Sequence, residues 1–249
     1  MSGSLTGRVA IVTGATRNIG RAIALELVAA GAAVVINAKS SAKEADDVVR
    51  AITAAGGNAL AHLADVGDPE AVARLIDATV SRFGRIDILV NNAATRPQST
   101  FAALEWDEWR NVLATILDGA FLCARAALPH LLRSDLASIV NIGGMTGHTG
   151  AAGRAHVVAA KAGLAGLTRA LAHDLSPQGI NVNCVVPGLI ATKRDKFAIA
   201  PTQHAARTTL VGRQGTPEEI AHLVRFLCEP SARYITGQTI HANGGTFLG

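Results

Sequence analysis

Short, wholly apolar, β-branched runs alternate along this chain with longer stretches whose apolar positions recur at helical spacing. "VAIVTG" (9–14) predicts a strand running into a turn, and "AIALELVAAG" (22–31) a helix closed by Gly31. "AVVINA" (33–38) predicts the next strand, with a helix through 42–55 ending at Gly56-Gly57. Further strands are expected at "DILVNNA" (87–93), "SIVNIGG" (138–144) and "INVNCVVPG" (180–188), with long helices around 107–132 and 155–174. Strands that are apolar on both sides belong in a parallel sheet covered on both faces. Strict alternation of strand and helix makes that sheet doubly wound, with right-handed crossovers. No repeat, linker or low-complexity segment interrupts the pattern, so 1–249 is expected to form one α/β domain.

Composition narrows the class. With 249 residues, 49% hydrophobic and 17% charged, the chain can fill a sizeable core. The formal net charge of +4 comes from Lys and Arg scattered singly. A nucleic-acid binder would gather them into a stripe or patch, so no nucleic-acid partner is expected. Cys123, Cys184 and Cys228 are odd in number and lack metal-ligand spacing, which predicts small buried hydrophobes rather than a disulfide or metal site. No long uninterrupted apolar span is read, and "MSGSLTGR" is too short and polar for a signal peptide. A cytoplasmic protein without a membrane partner is the expectation.

Chemistry enters at "TGATRNIG" (13–20), which follows a strand and opens a helix, as a phosphate-binding turn requires. Gly14 provides the sharp turn, and Gly20 lets the helix pack close to the sheet. The helix start, with Arg17, Asn18 and Ile19, then offers N–H groups and a positive dipole end to a pyrophosphate. Asn18 stands where a third glycine is expected, and Asn tolerates left-handed backbone angles. An acid about 20 residues past the first glycine would bind the ribose 2′-hydroxyl of NAD. Here the stretch is "NAKSS", with Ala38 and Lys39 and no carboxylate. Lys39 and Arg17 therefore favour a 2′-phosphate, hence NADP(H) over NAD(H).

At this point the sequence resembles the short-chain dehydrogenase/reductase family along essentially its whole length, with a pattern similar to 3-oxoacyl reductase-like members. "TGATRNIG" looks like the family's glycine motif, "ADV" (64–66), with Asp65 and Val66, like its adenine-contacting turn, and "NNAA" (91–94), with Asn92 and Ala93, like its "NNAG" strand end. "PGLIAT" (187–192) is similar to the segment that covers the nicotinamide, from Pro187 and Gly188 to Ile190 and Thr192. "GRQGTPEEIA" (212–221) and "YITGQTIHANGG" (234–245) resemble its last helix and strand. The resemblance implies a single-domain Rossmann-type fold, a variable lid at 193–211, and a homodimer or homotetramer built through the helices around 107–132 and 155–174.

It also implies a catalytic tetrad of Asn, Ser, Tyr and Lys, and three of the four matching positions depart from it. Ile116 occupies the asparagine position, Gly144 the serine position, and Val157 the tyrosine position four residues before the lysine. Lys161 alone is kept, and the resemblance assigns it to the nicotinamide ribose. Removing a positioned general acid typically costs about 10²–10⁴-fold in rate. His148 and His156 are the candidate replacements, since histidine titrates near neutrality. Arg96 and Arg154 are candidates for holding an anionic substrate, and Thr146 and Thr149 for donating hydrogen bonds. Three readings stay open: an oxidoreductase with a substituted proton relay, a non-redox lyase, hydratase or hydrolase, and a non-catalytic NADP-binding subunit or sensor.

Overall fold

A computed structural model describes residues 3–192 and 209–248. Seven parallel strands form one sheet in the order β3-β2-β1-β4-β5-β6-β7. They are β1 (Val9–Val12), β2 (Ala33–Ala38), β3 (Ala59–Leu63), β4 (Ile88–Asn91), β5 (Ala137–Ile142), β6 (Ile180–Pro187) and β7 (Thr239–Ala242). The helices are α1 (Asn18–Ala29), α2 (Ala42–Ala54), α3 (Pro69–Phe83), α4 (Trp106–Leu113), α5 (Gly119–Leu131), α6 (Thr146–Thr149), α7 (Ala155–Leu175) and α8 (Pro217–Cys228). This is the expected single-domain, Rossmann-type α/β fold.

Alternation along each strand sends neighbouring side chains to opposite faces. Ala10 and Val12 of β1 join Ile23 and Leu27 of α1, Ile52 of α2 and Val224 of α8 in one core. Ile11, between them, joins Leu75 of α3, Ala127 of α5 and Leu175 of α7 in the other. β1 lies between β2 and β4, so the chain order reverses there. In such sheets ligands bind in the crevice outside the carboxyl ends of the strands at that switch point.

β3 and α3 went unread both in the hydrophobic pattern and in the family resemblance. β3 is half-buried along "ALAHL" and leaves Leu63 46% exposed, so it gives neither a continuous apolar run nor a clean alternation. α3 is instead defined by its ends: Pro69 starts it, the Asp68 side chain accepts a hydrogen bond from the Glu70 N–H at 2.9 Å, and Gly84 closes it at φ +77°. α1 also begins earlier than the expected residue 22, rising directly out of the glycine turn at Asn18.

α4 and α5 join through a π-helical turn, Ala114–Asp118, into one helix from Trp106 to Leu131. By length and composition this helix is long and apolar enough to cross a membrane, although Asp107, Glu108, Arg110, Asp118 and Arg125 interrupt its apolar run. Val112, Ile116, Ala120, Cys123, Ala124, Ala127 and Leu131 bury its inner face.

Candidate active site

The glycine turn is fixed from three sides. Gly14 and Asn18 adopt left-handed angles, φ +61° and +50°, and Asn18 is the one non-glycine residue with positive φ among those described. The Asn92 side-chain amide donates to the carbonyls of Thr13 (2.8 Å) and Gly14 (2.9 Å). The Thr13 hydroxyl accepts from the N–H groups of Asn92 (2.9 Å) and Ala93 (3.0 Å). A Cβ on Gly20 would lie 2.3 Å from the Gly14 carbonyl oxygen and 2.5 Å from the Asn92 amide nitrogen, so only glycine lets α1 approach this closely. The N-cap Arg17 makes no side-chain capping bond to α1, and no acid sits in the helix's first turn. α8, by contrast, carries a complete capping box of Thr216 and Glu219. The start of α1 therefore presents the positive end of its dipole toward the crevice, suited to a pyrophosphate.

Asn92 and Ala93 thus serve as supports of the turn. Asn37, absent from the sequence expectations, completes it: its carbonyl accepts from Ala15 N–H at 2.9 Å, and its amide donates to Ala64 O at 3.0 Å, tying β2 to the end of β3. Beyond β3, Asp65 folds back onto Lys39, with Nζ to Oδ2 at 2.6 Å. Burial pushes the Asp65 carboxyl up, but hydrogen bonds from Lys39 and the Gly67 N–H outweigh it and leave the group below its ordinary range. The stretch after β2 holds no carboxylate of its own, and the one that pairs with Lys39 comes from the turn after β3. Val66 is buried against Gly119, so its side chain is not available to a ligand.

On the far side of the crevice, Pro187 ends β6 and Gly188 donates to Ala242 O at 3.0 Å. A Cβ on Gly188 would meet the Asn243 Cα at 2.5 Å. Ile190 pairs with Gly215, and its side chain packs on the core beside α8. Thr192 is half-buried at the end of the described segment. Most of the expected lid, 193–208, lies outside the described residues.

The third part of the site is the corner between β5 and α7. Lys161 is only 5% exposed, and its ammonium donates to Ile142 O at 2.6 Å. Burial, and then the positive charge of Arg96, lower its pKa to about 8, with the Cys184 thiol acting weakly the other way. Gly144 faces the lysine stem: a Cβ there would meet Lys161 Cγ, Cδ and Cε at 3.6, 3.7 and 3.8 Å, ordinary contact distances. Val157 and Ile116 are 1% and 2% exposed and pack into one apolar cluster with Val112, Ala120, Ala160 and Leu164.

Both candidate histidines turn elsewhere. His156 is fully buried, with Nε2 2.9 Å from Glu108 Oε1, close enough for an ion pair but out of line for a hydrogen bond. Ser99 holds the same carboxylate oxygen at 2.6 Å. The His148 ring stacks edge-on against His241, 4.7 Å between centroids, and burial followed by the charge of Arg169 lowers its pKa. The Thr149 hydroxyl bonds within its own loop, to Gly150 O at 3.1 Å. Arg96 and Arg154 lie on segments tied together by the Ser99 N–H to Gly153 O bond at 3.0 Å. Cys123, Cys184 and Cys228 are free and buried, and their thiols are pushed up by burial. Among the described residues no group of His, Cys, Asp and Glu could hold a metal ion.

Comparison with known proteins matches this architecture throughout. Residues 14–246 fit the family model described as enoyl-(acyl carrier protein) reductase. A 3-oxoacyl-[acyl-carrier-protein] reductase of Synechocystis sp. is 41% identical over 246 residues, covering 98% of this chain and 99% of that protein. One from Staphylococcus aureus is 40% identical over 240 residues, covering 96% and 98%. A short chain dehydrogenase from Burkholderia cenocepacia, solved in complex with NADP, superposes with a TM-score of 0.92 at 36% identity, covering 98% of this chain and 99% of that one. A dehydrogenase/reductase from Sinorhizobium meliloti superposes at 0.93, also at 36% identity, covering 99% and 98%. With a glycine turn at the β1/β4 switch point and relatives matched end to end, the chain belongs to the short-chain dehydrogenase/reductase family.

Proposed function

We propose that this protein is an NADP(H)-dependent oxidoreductase that interconverts a carbonyl and an alcohol, with a 3-oxoacyl thioester as the substrate class. One observation carries the cofactor half: the glycine turn leads into a helix start with no acid in its first turn, and glycine is obligatory at position 20. The substrate class follows from the relatives named 3-oxoacyl-[acyl-carrier-protein] reductase, and the cofactor from the relative solved with NADP. When bound, the nicotinamide supplies the hydride.

Gly14, Arg17, Asn18, Ile19 and Gly20 hold the pyrophosphate in this reading. Arg17 and Lys39 face the 2′-phosphate, and the Lys39–Asp65 pair opens to receive it. Asp65 and the Val66 backbone border the adenine, with Asn92 and Ala93 bracing the turn beside it. Pro187, Gly188, Ile190 and Thr192 border the nicotinamide, and Lys161 holds its ribose. The substrate end is atypical: Ile116, Gly144 and Val157 replace the family's asparagine, serine and tyrosine. The protein acts in the cytoplasm as a homotetramer or homodimer through the 106–131 helix and α7; Trp106 and Phe121 stand 68% and 45% exposed on the first.

The test is oxidation of NADPH, followed by nicotinamide absorbance, on addition of a 3-oxoacyl thioester such as acetoacetyl-coenzyme A. Thioester-dependent loss of NADPH is the expected result. A second reading has its own observation. Ile116 and Val157 share one sealed apolar cluster, which suits a site that binds NADPH without redox turnover, as a non-redox enzyme, a sensor or a non-catalytic subunit. NADPH binding with no thioester-dependent oxidation would favour it.

A further inference from the structure

We propose that Lys161 is itself the proton donor to the substrate oxygen, beyond any hold on the ribose. This inference rests on the oxidoreductase reading. The first ground is elimination among the described residues. The chain has one tyrosine, Tyr234, and it is fully exposed ahead of β7. β7 runs parallel to the other strands, so Tyr234 lies at the sheet edge opposite the glycine turn. His156 is turned to Glu108 and His148 to His241. The wall made by Ile116 and Val157 carries no proton and is sealed by Val112, Ala160 and Leu164.

The second ground is placement. With no side chain at Gly144, the stem of Lys161 runs within 3.8 Å of the space a serine would fill. An ammonium has three protons, and Ile142 O takes one at 2.6 Å. Arg96, from the loop after β4, and Cys184, from β6, are the charged and titratable groups whose charges act on it. His156 and Glu108 face each other at the first turn of α7, and Arg169 lies about two turns beyond Lys161 on the same helix, its charge acting on His148. Among the described residues no carboxylate pairs with Lys161 to hold its proton. An acid that releases its proton near neutral pH is the efficient one, and burial beside a second cation is a known way to bring lysine into that range.

The step balances. As hydride from a reduced nicotinamide reaches the carbonyl carbon, the C=O π pair moves to oxygen. An Nζ–H bond of Lys161 breaks, its electrons stay on nitrogen, and the proton forms the new O–H bond. The neutral amine then takes a proton from water.

Lys161→Arg separates the two roles, because arginine keeps a positive donor but does not deprotonate in proteins. NADPH affinity, measured by fluorescence titration, is expected to persist in Lys161→Arg. Reduction of acetoacetyl-coenzyme A is expected to fall by about 10²–10⁴-fold. The wild-type rate should also decline as pH rises through about 8, because the donor is the protonated form. A Lys161→Arg variant that binds NADPH and keeps most of the wild-type rate overturns the inference, as does a wild-type profile flat across that range. Wild type that binds NADPH but never reduces the thioester overturns it while leaving the cofactor assignment standing. Failure to bind NADPH removes the oxidoreductase reading itself. Should Lys161→Arg not fold, amine acylation of the wild type followed residue by residue decides: a Lys161 midpoint near 8 supports the role, and one at the ordinary 10.5 overturns it.

Discussion

The crevice between β1 and β4 and the corner where β5 meets α7 share one edge of the sheet but are built differently. At the crevice, Thr13, Asn37 and Asn92 fix the turn through bonds of 2.8–3.0 Å, and a single methyl on Gly20 has nowhere to go. At the corner, apolar side chains have closed ranks around Val157 and Ile116, and one buried cation remains. The first arrangement is costly to alter, because removing one partner strands another buried polar group. The second tolerates exchange of one apolar residue for another, since volume-conserving swaps are mild. The nucleotide crevice and the corner beside Lys161 are therefore open to change independently of each other.

Breaking that contrast at the corner should give the largest effect. Ile116→Asn, Gly144→Ser and Val157→Tyr together should raise reduction of 3-oxoacyl thioesters by about 10²-fold, the worth of a donor that orients the substrate oxygen which Lys161 protonates. Gly144 has room for the hydroxyl-bearing carbon at 3.6 Å from Lys161. Unchanged turnover in a folded, NADPH-binding triple variant would show that these positions are matched wrongly.

The buried lysine offers a test in stability. Its pKa is lowered from 10.5 to about 8, so at neutral pH the folded state pays to keep it charged, by about 3 kcal/mol. Folding sheds a proton between those values, so stability rises with pH across the window and the cost is fully present below about 8. The stability of wild type relative to Lys161→Met should therefore climb by about 3 kcal/mol from neutral pH to 10.5, as read from denaturant midpoints at each pH. A constant difference would mean the lysine is not buried as described.

Gly20→Ala probes the crevice. Overpacking against backbone typically costs about 1–3 kcal/mol, and NADPH affinity should weaken by about 10- to 100-fold with the circular dichroism spectrum unchanged. Arg17→Ala with Lys39→Ala should have the smallest effect, narrowing the preference for NADPH over NADH by about tenfold. Lys39→Ala alone should do less, because that lysine is 71% exposed and already held by Asp65.

Much of this was legible in the sequence, for physical reasons that also mark the limit. β1, β2, β4, β5 and β6 are buried on both faces, so burial writes a continuous apolar run at each. β3, half-exposed, writes no such run, and α3 declares itself through Asp68 and Gly84 rather than through period. The glycine turn was readable because only a few residue types tolerate its angles. Long-range pairings were not: Glu108 meets His156, and Asp65 meets Lys39, across separations that no local pattern reports. The two histidines looked available in sequence because their occupants lie elsewhere in the chain. The burial of Lys161 likewise depends on β5 and β6 closing over α7.

The most direct measurement is a fluorescence titration of the wild-type protein with NADPH, with NADH alongside. Saturable NADPH binding that is tighter than NADH binding, through the α1 turn, Arg17 and Lys39, is the expected result. NADH binding as tight or tighter, or no binding of either, would contradict it.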